Sequence, residues 1–359
     1  MVSGVEPSPD SAERAARAVP DRPLASLFVT GYNQADTIRE ALEGALAQTW
    51  RPLDLLFSDD ASSDATFDIM REVAERHQGR EDEGLSVRVR RSARNGGLVD
   101  HVNRATAVCR GGLIAMAGGD DISRPDRVAR LVEAWEASGP PGGRALLLHS
   151  AAEVIDEAGR PIGRRGTREA LLGQVSAAQV MRTEAAALGA AMAWDRRLFD
   201  IFGPIPASTP NEDILLTFRA TMLGPVIFVD DTLIRWRAGG ISWTTPETMM
   251  QPFGKRLRFV RLRAGAHRAA LEDLARVEVP DRATLVEIAR ERARLHGFEE
   301  GLIDAPWLAR LAAGPRAFSL AMEMGTTYFP RVWLRHLFRG PYRVWWAWRT
   351  RRTRIAEAA

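Results

Sequence analysis

The sequence predicts an α/β fold with a mostly parallel central sheet, followed by a helical C-terminal region. From Leu24 onward, short β-type runs alternate with amphipathic helical stretches, which is typical of βαβ units. From about Thr245 the strand signals stop, and the chain becomes rich in Arg, Leu and Ala. We therefore divide the chain into a polar leader over 1–22, an α/β domain over 23–244 and a helical region over 245–359.

Strands and helices alternate along the predicted α/β domain. The four strands predicted in its first part are LASLFVT, LDLLFS, LSVRVR and LIAMAGG. Each is followed by a helix, over 36–48, 65–77 and 98–109 and then from near Pro125, where apolar residues recur at helical spacing. After Ala145 a hairpin with the turn AGRP, the helix ILLTFRATML and the strand PVIFVDDTLIRWR complete the lobe.

Composition excludes several classes of protein. With 45% hydrophobic and 26% charged residues, the chain is an ordinary globular protein rather than a disordered one. Cys109 is the only cysteine, which excludes an internal disulfide, a cysteine-ligated zinc site and an iron-sulfur cluster. The leader lacks the features of a secretory signal and is expected to be disordered. The longest apolar run, around 185–194, is about half of a membrane span, so no integral membrane segment is expected. The single cysteine makes the cytoplasm the expected compartment.

Acidic pairs follow two of the predicted strands. Asp59 and Asp60 end the second, and Asp120 and Asp121 end the fourth. Ligands bind at this edge of doubly wound sheets, and adjacent buried carboxylates repel unless a cation lies between them. Hard oxygen ligands favour Mg²⁺ or Mn²⁺, which commonly share their coordination with substrate phosphates. For a lone pair of aspartates, a solvated turn or helix cap is the simpler interpretation.

Several motifs, taken together and in order, resemble glycosyltransferase family 2. They are LFVTGYNQADTIREALEGALAQTW, SDDASSDAT, RNGG, MAGGDDISRPDRV and NEDILLTFRA, within 24–243. The resemblance implies a GT-A (Rossmann-like) nucleotide-sugar-binding domain. It further implies an inverting enzyme that transfers a sugar from a nucleotide diphosphate donor to a hydroxyl of a glycan or lipid-linked glycan, as in cell-surface polysaccharide assembly.

The resemblance also implies donor-binding residues. Thr30 and Tyr32 match positions that hold the donor base. Asp60 matches a carboxylate that accepts a hydrogen bond from a pyrimidine N–H, which points to UDP- or dTDP-linked sugars, and Asp59 would support it. Arg94 and Asn95 lie in a loop that borders the donor site.

The acidic pair at 120–121 matches the DXD-like motif of the family. In that role Asp120 lies near the ribose hydroxyl and contributes to the metal site, while Asp121 binds the Mg²⁺ or Mn²⁺ that bridges the diphosphate. The ion would neutralise the charge that builds on the leaving group.

Asp213 matches the catalytic base of the family. Inverting transfer needs the acceptor hydroxyl to be deprotonated on the face opposite the leaving diphosphate, and a helix N-terminus would favour an ionised carboxylate. Glu212 competes for the role, and an ordinary helix cap is the simpler alternative. In RWRAGGIS, Trp236 and Arg237 fill two family positions, but Gly239 stands where a histidine is expected.

The C-terminal tail combines tryptophans and arginines. Residues 331–355 contain Trp333, Trp345, Trp346 and Trp348 and no acidic residue. Such a segment suits an interface with anionic lipid, which would place the protein on the inner face of the cytoplasmic membrane. Packing of the tryptophans on the catalytic domain is the alternative. RNA-binding motifs are absent, so no nucleic-acid partner is expected, and the sequence leaves the oligomeric state open.

Two other functions compete with sugar transfer. A sugar-nucleotide nucleotidyltransferase would require a glycine-rich phosphate loop with a basic residue after the first strand, which TGYNQAD lacks. A non-catalytic scaffold of the same fold, binding a nucleotide or glycan, would not need every carboxylate that the motifs carry.

Overall fold

The computed structural model describes residues 22–77, 84–166, 176–209, 211–239, 254–303 and 305–338. Three features predicted from the sequence lie outside these ranges: nearly all of the leader, the 244/245 domain boundary, and the tail beyond 338. Within the described residues, a nine-stranded mixed sheet carries helices on both faces, and a helical region follows.

The first half of the domain consists of βα units, as the sequence predicted. Its elements are β1 (Ala25–Gly31), α1 (Ile38–Leu46), β2 (Leu53–Asp59), α2 (Thr66–Glu75), β3 (Leu85–Arg91), α3 (Gly97–Val108) and β4 (Leu113–Gly118). The four strands are parallel and lie in the order β3-β2-β1-β4. Their carboxyl ends therefore share one edge of the sheet.

The second half extends the sheet with mixed pairings. Its elements are β5 (Ile122–Ser123), α4 (Arg127–Ala137), β6 (Leu147–Ile155), β7 (Pro161–Arg165), α5 (Ala177–Thr183), β8 (Met192–Asp195), α6 (Arg197–Phe202), α7 (Glu212–Leu223) and β9 (Val226–Arg237). The predicted hairpin is β6 and β7. The short strand β8, which the sequence did not predict, lies antiparallel to both β4 and β6. The long strand β9 runs parallel to β6.

Alternation along the strands separates two hydrophobic cores. In β1, Leu27 and Val29 face α1, α2 and α4, whereas Phe28 faces the core formed by α3, α5, α7 and the C-terminal helices. Successive strand residues point to opposite faces of a sheet, so one strand contributes to both cores.

The C-terminal region is helical in its described residues, as predicted. It comprises α8 (Gly254–Arg276), α9 (Arg282–Ile303), α10 (Trp307–Ala312), α11 (Gly314–Glu323) and α12 (Tyr328–Leu337). Helix α8 joins the α/β domain through an ion pair between Arg219 of α7 and Asp273, 2.8 Å apart and almost fully buried. Among the described residues, no helix combines the length and apolarity that crossing a membrane requires.

Candidate active site

The loops after β1, β2 and β4 are bonded to one another at the carboxyl edge of the sheet. The amide of Asp60 donates to the carbonyl of Gly31 at 2.9 Å. The hydroxyl of Thr37 donates to the carbonyl of Gly119, also at 2.9 Å. These bonds hold the ends of three strands together, so both acidic pairs lie at the same edge.

Asp59 and Asp60 are buried but use their carboxylates differently. Asp60 accepts hydrogen bonds from the amides of Gly96 and Gly97 at 3.0 to 3.2 Å. Asp59 accepts from the amide of Ser62 at 3.0 Å and lies 3.3 Å from Nε of Arg91. Asp60 thus joins the end of β2 to the loop before α3, while Asp59 stabilises its own turn.

The other residues assigned to the donor site lie around this edge. Thr30 is buried and donates to the carbonyl of Ala117 at 3.3 Å. Tyr32 is partly exposed, and Arg94 and Asn95 are exposed in the loop before α3. Asn95 accepts the amide of Gly97 at 2.9 Å, so its side chain shapes the loop that also holds Asp60.

The carboxylates of Asp120 and Asp121 converge in front of β4. A Cβ placed on Gly118 would lie 2.8 Å from Oδ1 of Asp120 and 2.9 Å from Oδ2 of Asp121. Burial, and then the negative charge of Asp120, raise the pKa of Asp121 to about 8. Burial also raises the pKa of Asp120. The side chains around this pair therefore leave its negative charge incompletely compensated.

This arrangement fits a divalent cation. One oxygen of Asp121 accepts the amide of Arg237 at 2.9 Å, and its other oxygen turns toward Asp120. Two convergent carboxylates are a donor set suited to Mg²⁺ or Mn²⁺. A cation between them would supply the missing positive charge.

Arg237 fixes the backbone around the acidic pair. Its side chain is buried and donates to the carbonyl of Asp120 at 3.0 Å and to Glu40 at 2.8 Å. It also donates to the carbonyls of Asp156 and Glu157, at 3.2 and 2.7 Å. The guanidinium thus acts mainly as a brace between β9 and the loop after β4.

Glu212 and Asp213 form the first turn of α7. Burial raises the pKa of Asp213 to about 6. Burial, and then the charge of Asp213, raise the pKa of Glu212 to about 8. Of the two carboxyl groups, Asp213 therefore has the lower pKa and loses its proton first. Asp213 is also the less buried of the two, which makes it the better candidate for a base.

Arg127 connects the acidic pair to this helix. It is fully buried and donates to the carbonyls of Met116 and Ala190, at 2.6 and 2.9 Å. Its positive charge also lowers the pKa of Asp121. Next to Ala190, Gly189 lies so close to α7 that a Cβ there would be 2.5 Å from Oε1 of Glu212. The end of β4 and the start of α7 therefore meet through the turn at 189–191.

A second connection runs through β7 and β9. The guanidinium of Arg165 lies over the ring of Trp236, 5.0 Å from its centroid. The charge of Arg165 also lowers the pKa of Asp213. Because Trp236 precedes Arg237, whose amide binds Asp121, this path again joins Asp213 to the acidic pair. Two independent paths thus bring Asp121 and Asp213 to one edge of the sheet.

Sequence reasoning missed three residues that build this edge: Gly118, Arg127 and Arg165. Arg127 lies inside the motif DDISRPDRV, where a basic residue in a first helical turn could have drawn attention. Arg165 lies on a hairpin strand without any motif. Gly239, which replaces an expected histidine, has φ +101°, while Gly240 to Ser242 of the RWRAGGIS motif lie outside the described residues.

Comparison with known proteins agrees with this architecture. Residues 26–142 match the family described as glycosyl transferase family 2. The succinoglycan biosynthesis protein ExoO of Rhizobium meliloti is 32% identical over 148 residues, covering 38% of this chain and 40% of that protein. Chondroitin synthase of Escherichia coli is 35% identical over 107 residues, covering 30% and 14%. The chain thus spans less than half of the length of these relatives.

Solved structures share the fold over most of the chain. TarS of S. aureus superimposes with a TM-score of 0.54 at 15% identity, covering 89% of this chain and 54% of that one. The mannosyltransferase PcManGT of Pyrobaculum calidifontis, solved with GDP-Man and Mn²⁺, gives a TM-score of 0.51 at 16% identity, covering 92% and 93%. The fold over most of the chain is thus that of GT-A glycosyltransferases, and the sequence match to glycosyl transferase family 2 covers residues 26–142.

Proposed function

We propose that the protein is an inverting, metal-dependent glycosyltransferase of polysaccharide assembly. It would take a sugar from a UDP- or dTDP-linked donor and place it on a hydroxyl of a glycan or lipid-linked glycan. The observation that carries this proposal is the pair of paths joining Asp121 to Asp213. One edge of the sheet then offers both a site for a diphosphate-bound cation and a carboxylate for the acceptor.

In this proposal Asp213 removes the proton of the acceptor hydroxyl as the oxygen attacks the anomeric carbon. Its pKa near 6 keeps it ionised at neutral pH and leaves it basic enough for proton transfer. Glu212, with its higher pKa, would remain protonated and neutral beside it. The helix N-terminus contributes a positive field that favours the carboxylate.

Asp120 and Asp121 would hold Mg²⁺ or Mn²⁺ at the donor diphosphate. The ion, when bound, stabilises negative charge on the leaving nucleoside diphosphate. Arg237 keeps the two carboxylates in place through the amide and carbonyl contacts described above. The nucleoside would lie at the neighbouring strand ends, and Asp59 would support Asp60 there. The residues that would surround it are Thr30, Tyr32, Asp60, Arg94 and Asn95.

The names of two relatives support parts of the proposal. A glucosyltransferase of Escherichia coli, WfaP, is 38% identical over 50 residues, and its name specifies UDP-Glc and a diphosphoundecaprenol-linked acceptor. The mannosyltransferase with bound GDP-Man and Mn²⁺ supports metal use but has a different nucleotide. The base of the donor is therefore the first specificity to measure.

A ligand screen followed by a transfer assay tests the proposal. We expect UDP or dTDP with Mn²⁺ to raise the melting temperature more than GDP does, because ligand binding stabilises the folded state. Release of the nucleoside diphosphate from the matching nucleotide sugar should then require both acceptor and metal. Stabilisation without turnover for any donor and acceptor would favour the scaffold, and release of pyrophosphate would favour a nucleotidyltransferase.

We also propose that the C-terminal helices contact anionic lipid at the inner face of the cytoplasmic membrane. Seven large hydrophobic side chains are exposed on α10 to α12 and on the residue that follows α12: Trp307, Leu308, Leu311, Phe318, Met322, Leu334 and Phe338. Between 305 and 338 the sequence has four arginines and one acidic residue, Glu323. Apolar side chains beside basic ones suit a lipid surface that carries negative charge.

Vesicle sedimentation tests this contact. The wild-type chain should sediment with phosphatidylglycerol vesicles and less with phosphatidylcholine, whereas the double variant Leu308→Glu, Met322→Glu should remain in the supernatant. Ile162→Glu changes another largely exposed apolar residue, on β7, and serves as the control. Equal sedimentation of the double variant and wild type would contradict the lipid contact.

A further inference from the structure

A cluster of potential metal ligands lies away from the sheet edge, between α5 and the C-terminal helices. Glu184 ends α5, His267 lies on α8 and His296 lies on α9. All three are buried. One ligand atom from each falls within 4.8 Å of the other two. Three elements distant in sequence thus converge on one small volume.

Both histidines direct Nε2 at the same carboxylate oxygen. Nε2 of His267 lies 3.1 Å from Oε1 of Glu184, and Nε2 of His296 contacts that same atom. Arg263 binds the other oxygen, Oε2, at 2.5 Å. The carboxylate is thereby oriented with one oxygen toward the guanidinium and the other toward both imidazoles.

Two protonation patterns of the imidazole rings fit this arrangement. Without a cation, both imidazoles must carry a proton on Nε2 and share one acceptor oxygen. Among the described residues, Nδ1 of each ring has no hydrogen-bond partner, so no other contact fixes the tautomer. Nε2 is therefore free to be the unprotonated, metal-binding nitrogen in both rings.

The backbone at Glu184 adds a separate observation. Glu184 has φ 55° and ψ 34°, a left-handed conformation that costs free energy for a residue other than glycine. Such a conformation persists where the surroundings hold the residue in place. At Glu184 it coincides with the C-terminal end of α5, where a left-handed residue commonly ends a helix.

We propose that Glu184, His267 and His296 bind a zinc ion. Two imidazole nitrogens and one carboxylate oxygen are a known donor set for Zn²⁺ and are poorly suited to Mg²⁺. Oε1 of Glu184 would bind as a single oxygen, since Oε2 is occupied by Arg263. The site is distinct from the carboxylates at 120–121, which offer oxygen donors only.

The ion would tie α8 and α9 to the segment that supports α7. After Glu184 the chain continues to Ala187, whose amide donates to the hydroxyl of Thr217 at 3.1 Å. That hydroxyl in turn donates to the carbonyl of Asp213 at 2.7 Å. Zinc at Glu184 would therefore stabilise the scaffold behind the proposed base without contacting substrate.

Metal analysis of the untagged full chain tests the site. We expect about one zinc ion per chain after gel filtration. Co²⁺ substituted for Zn²⁺ should give a visible absorption spectrum typical of a metal ion with a low coordination number. The variant Asp121→Asn should keep its zinc, because it alters only the sheet-edge carboxylates.

Two substitutions and a control locate the ion. His267→Gln and His296→Gln should each raise the Kd for Zn²⁺ by about tenfold or more. His336 is a matched control, because it is also buried and bonded to a glutamate, Glu299. Since it lies outside the cluster, His336→Gln should leave the zinc content unchanged. The cobalt spectrum of the wild-type chain does not depend on the folding of any variant. A folded chain that takes up neither Zn²⁺ nor Co²⁺, or equal zinc in wild type and both variants, would overturn the proposal.

Discussion

The buried ion pair between Arg219 and Asp273 makes a quantitative prediction about the C-terminal helices. The two side chains are at most 1% exposed, and Arg219 also donates to the carbonyls of Gly203 and Pro204. In Asp273→Ala the guanidinium stays buried without its counter-charge. Breaking a buried pair in this way costs about 3–5 kcal/mol of unfolding free energy.

That loss converts into a shift of melting temperature. At roughly 2.1 cal/mol/K per residue, the entropy of unfolding for 359 residues is about 0.75 kcal/mol/K. Asp273→Ala should therefore melt about 4–7 °C below wild type when followed by circular dichroism. A urea titration monitored by tryptophan fluorescence should show the same loss in free energy.

Two controls separate the ion pair from general effects of substitution. Glu323→Ala removes the partner of Arg294 in a pair that is about half exposed, and it should change the unfolding free energy by less than about 1 kcal/mol. The double variant Arg219→Met, Asp273→Leu should be more stable than Asp273→Ala, because no unpaired charge remains. A double variant as unstable as the single one, or an unchanged melting temperature in Asp273→Ala, would refute the reasoning.

Three further predictions concern the sheet edge. Asp213→Asn should lower kcat by about 10²- to 10⁴-fold while Mn²⁺-dependent UDP binding persists in calorimetry; loss of UDP binding instead would move Asp213 out of the base role. In wild type, kcat should rise with pH and be half-maximal near pH 6, because the pKa of Asp213 is raised to about 6 and only the deprotonated base is active; a flat profile between pH 5 and 7 would contradict this. Gly118→Ala should weaken Mn²⁺ binding by about tenfold, because the new Cβ would push apart the carboxylates of Asp120 and Asp121. Gly142→Ala, where a Cβ meets nothing within 4 Å, should bind Mn²⁺ as wild type does, and equal affinity in the two variants would count against the metal site.

Much of the fold follows from local pattern. The three βα units and the strand β4 of the first half have apolar strands and helical stripes that set their type and order. Parallel pairing then places the carboxyl ends of these four strands at one edge. The strand β8 escaped prediction because its four residues, Met192–Asp195, carry no alternation. They form a strand only because β4 and β6 provide hydrogen-bonding partners on both sides.

The candidate site, like the fold, could be predicted only in part from the sequence. The acidic pairs could be located from sequence because each directly follows a predicted strand. Arg127 and Arg165 could not, since their positions depend on how the second half of the domain folds back on the first. The raised pKa of Asp213 likewise arises from burial in the assembled fold, which no local pattern encodes.

The position of α7 bears on how such enzymes could be recombined. The family match ends at residue 142, yet the proposed base lies on α7, which packs against α8 through Arg219. Exchanging the part of the chain after residue 142 between two related enzymes would therefore have to move α7 and the helices behind it as one unit. A chimera joined between α7 and α8, with no acidic partner for Arg219 on the foreign helix, should lose about the same stability as Asp273→Ala.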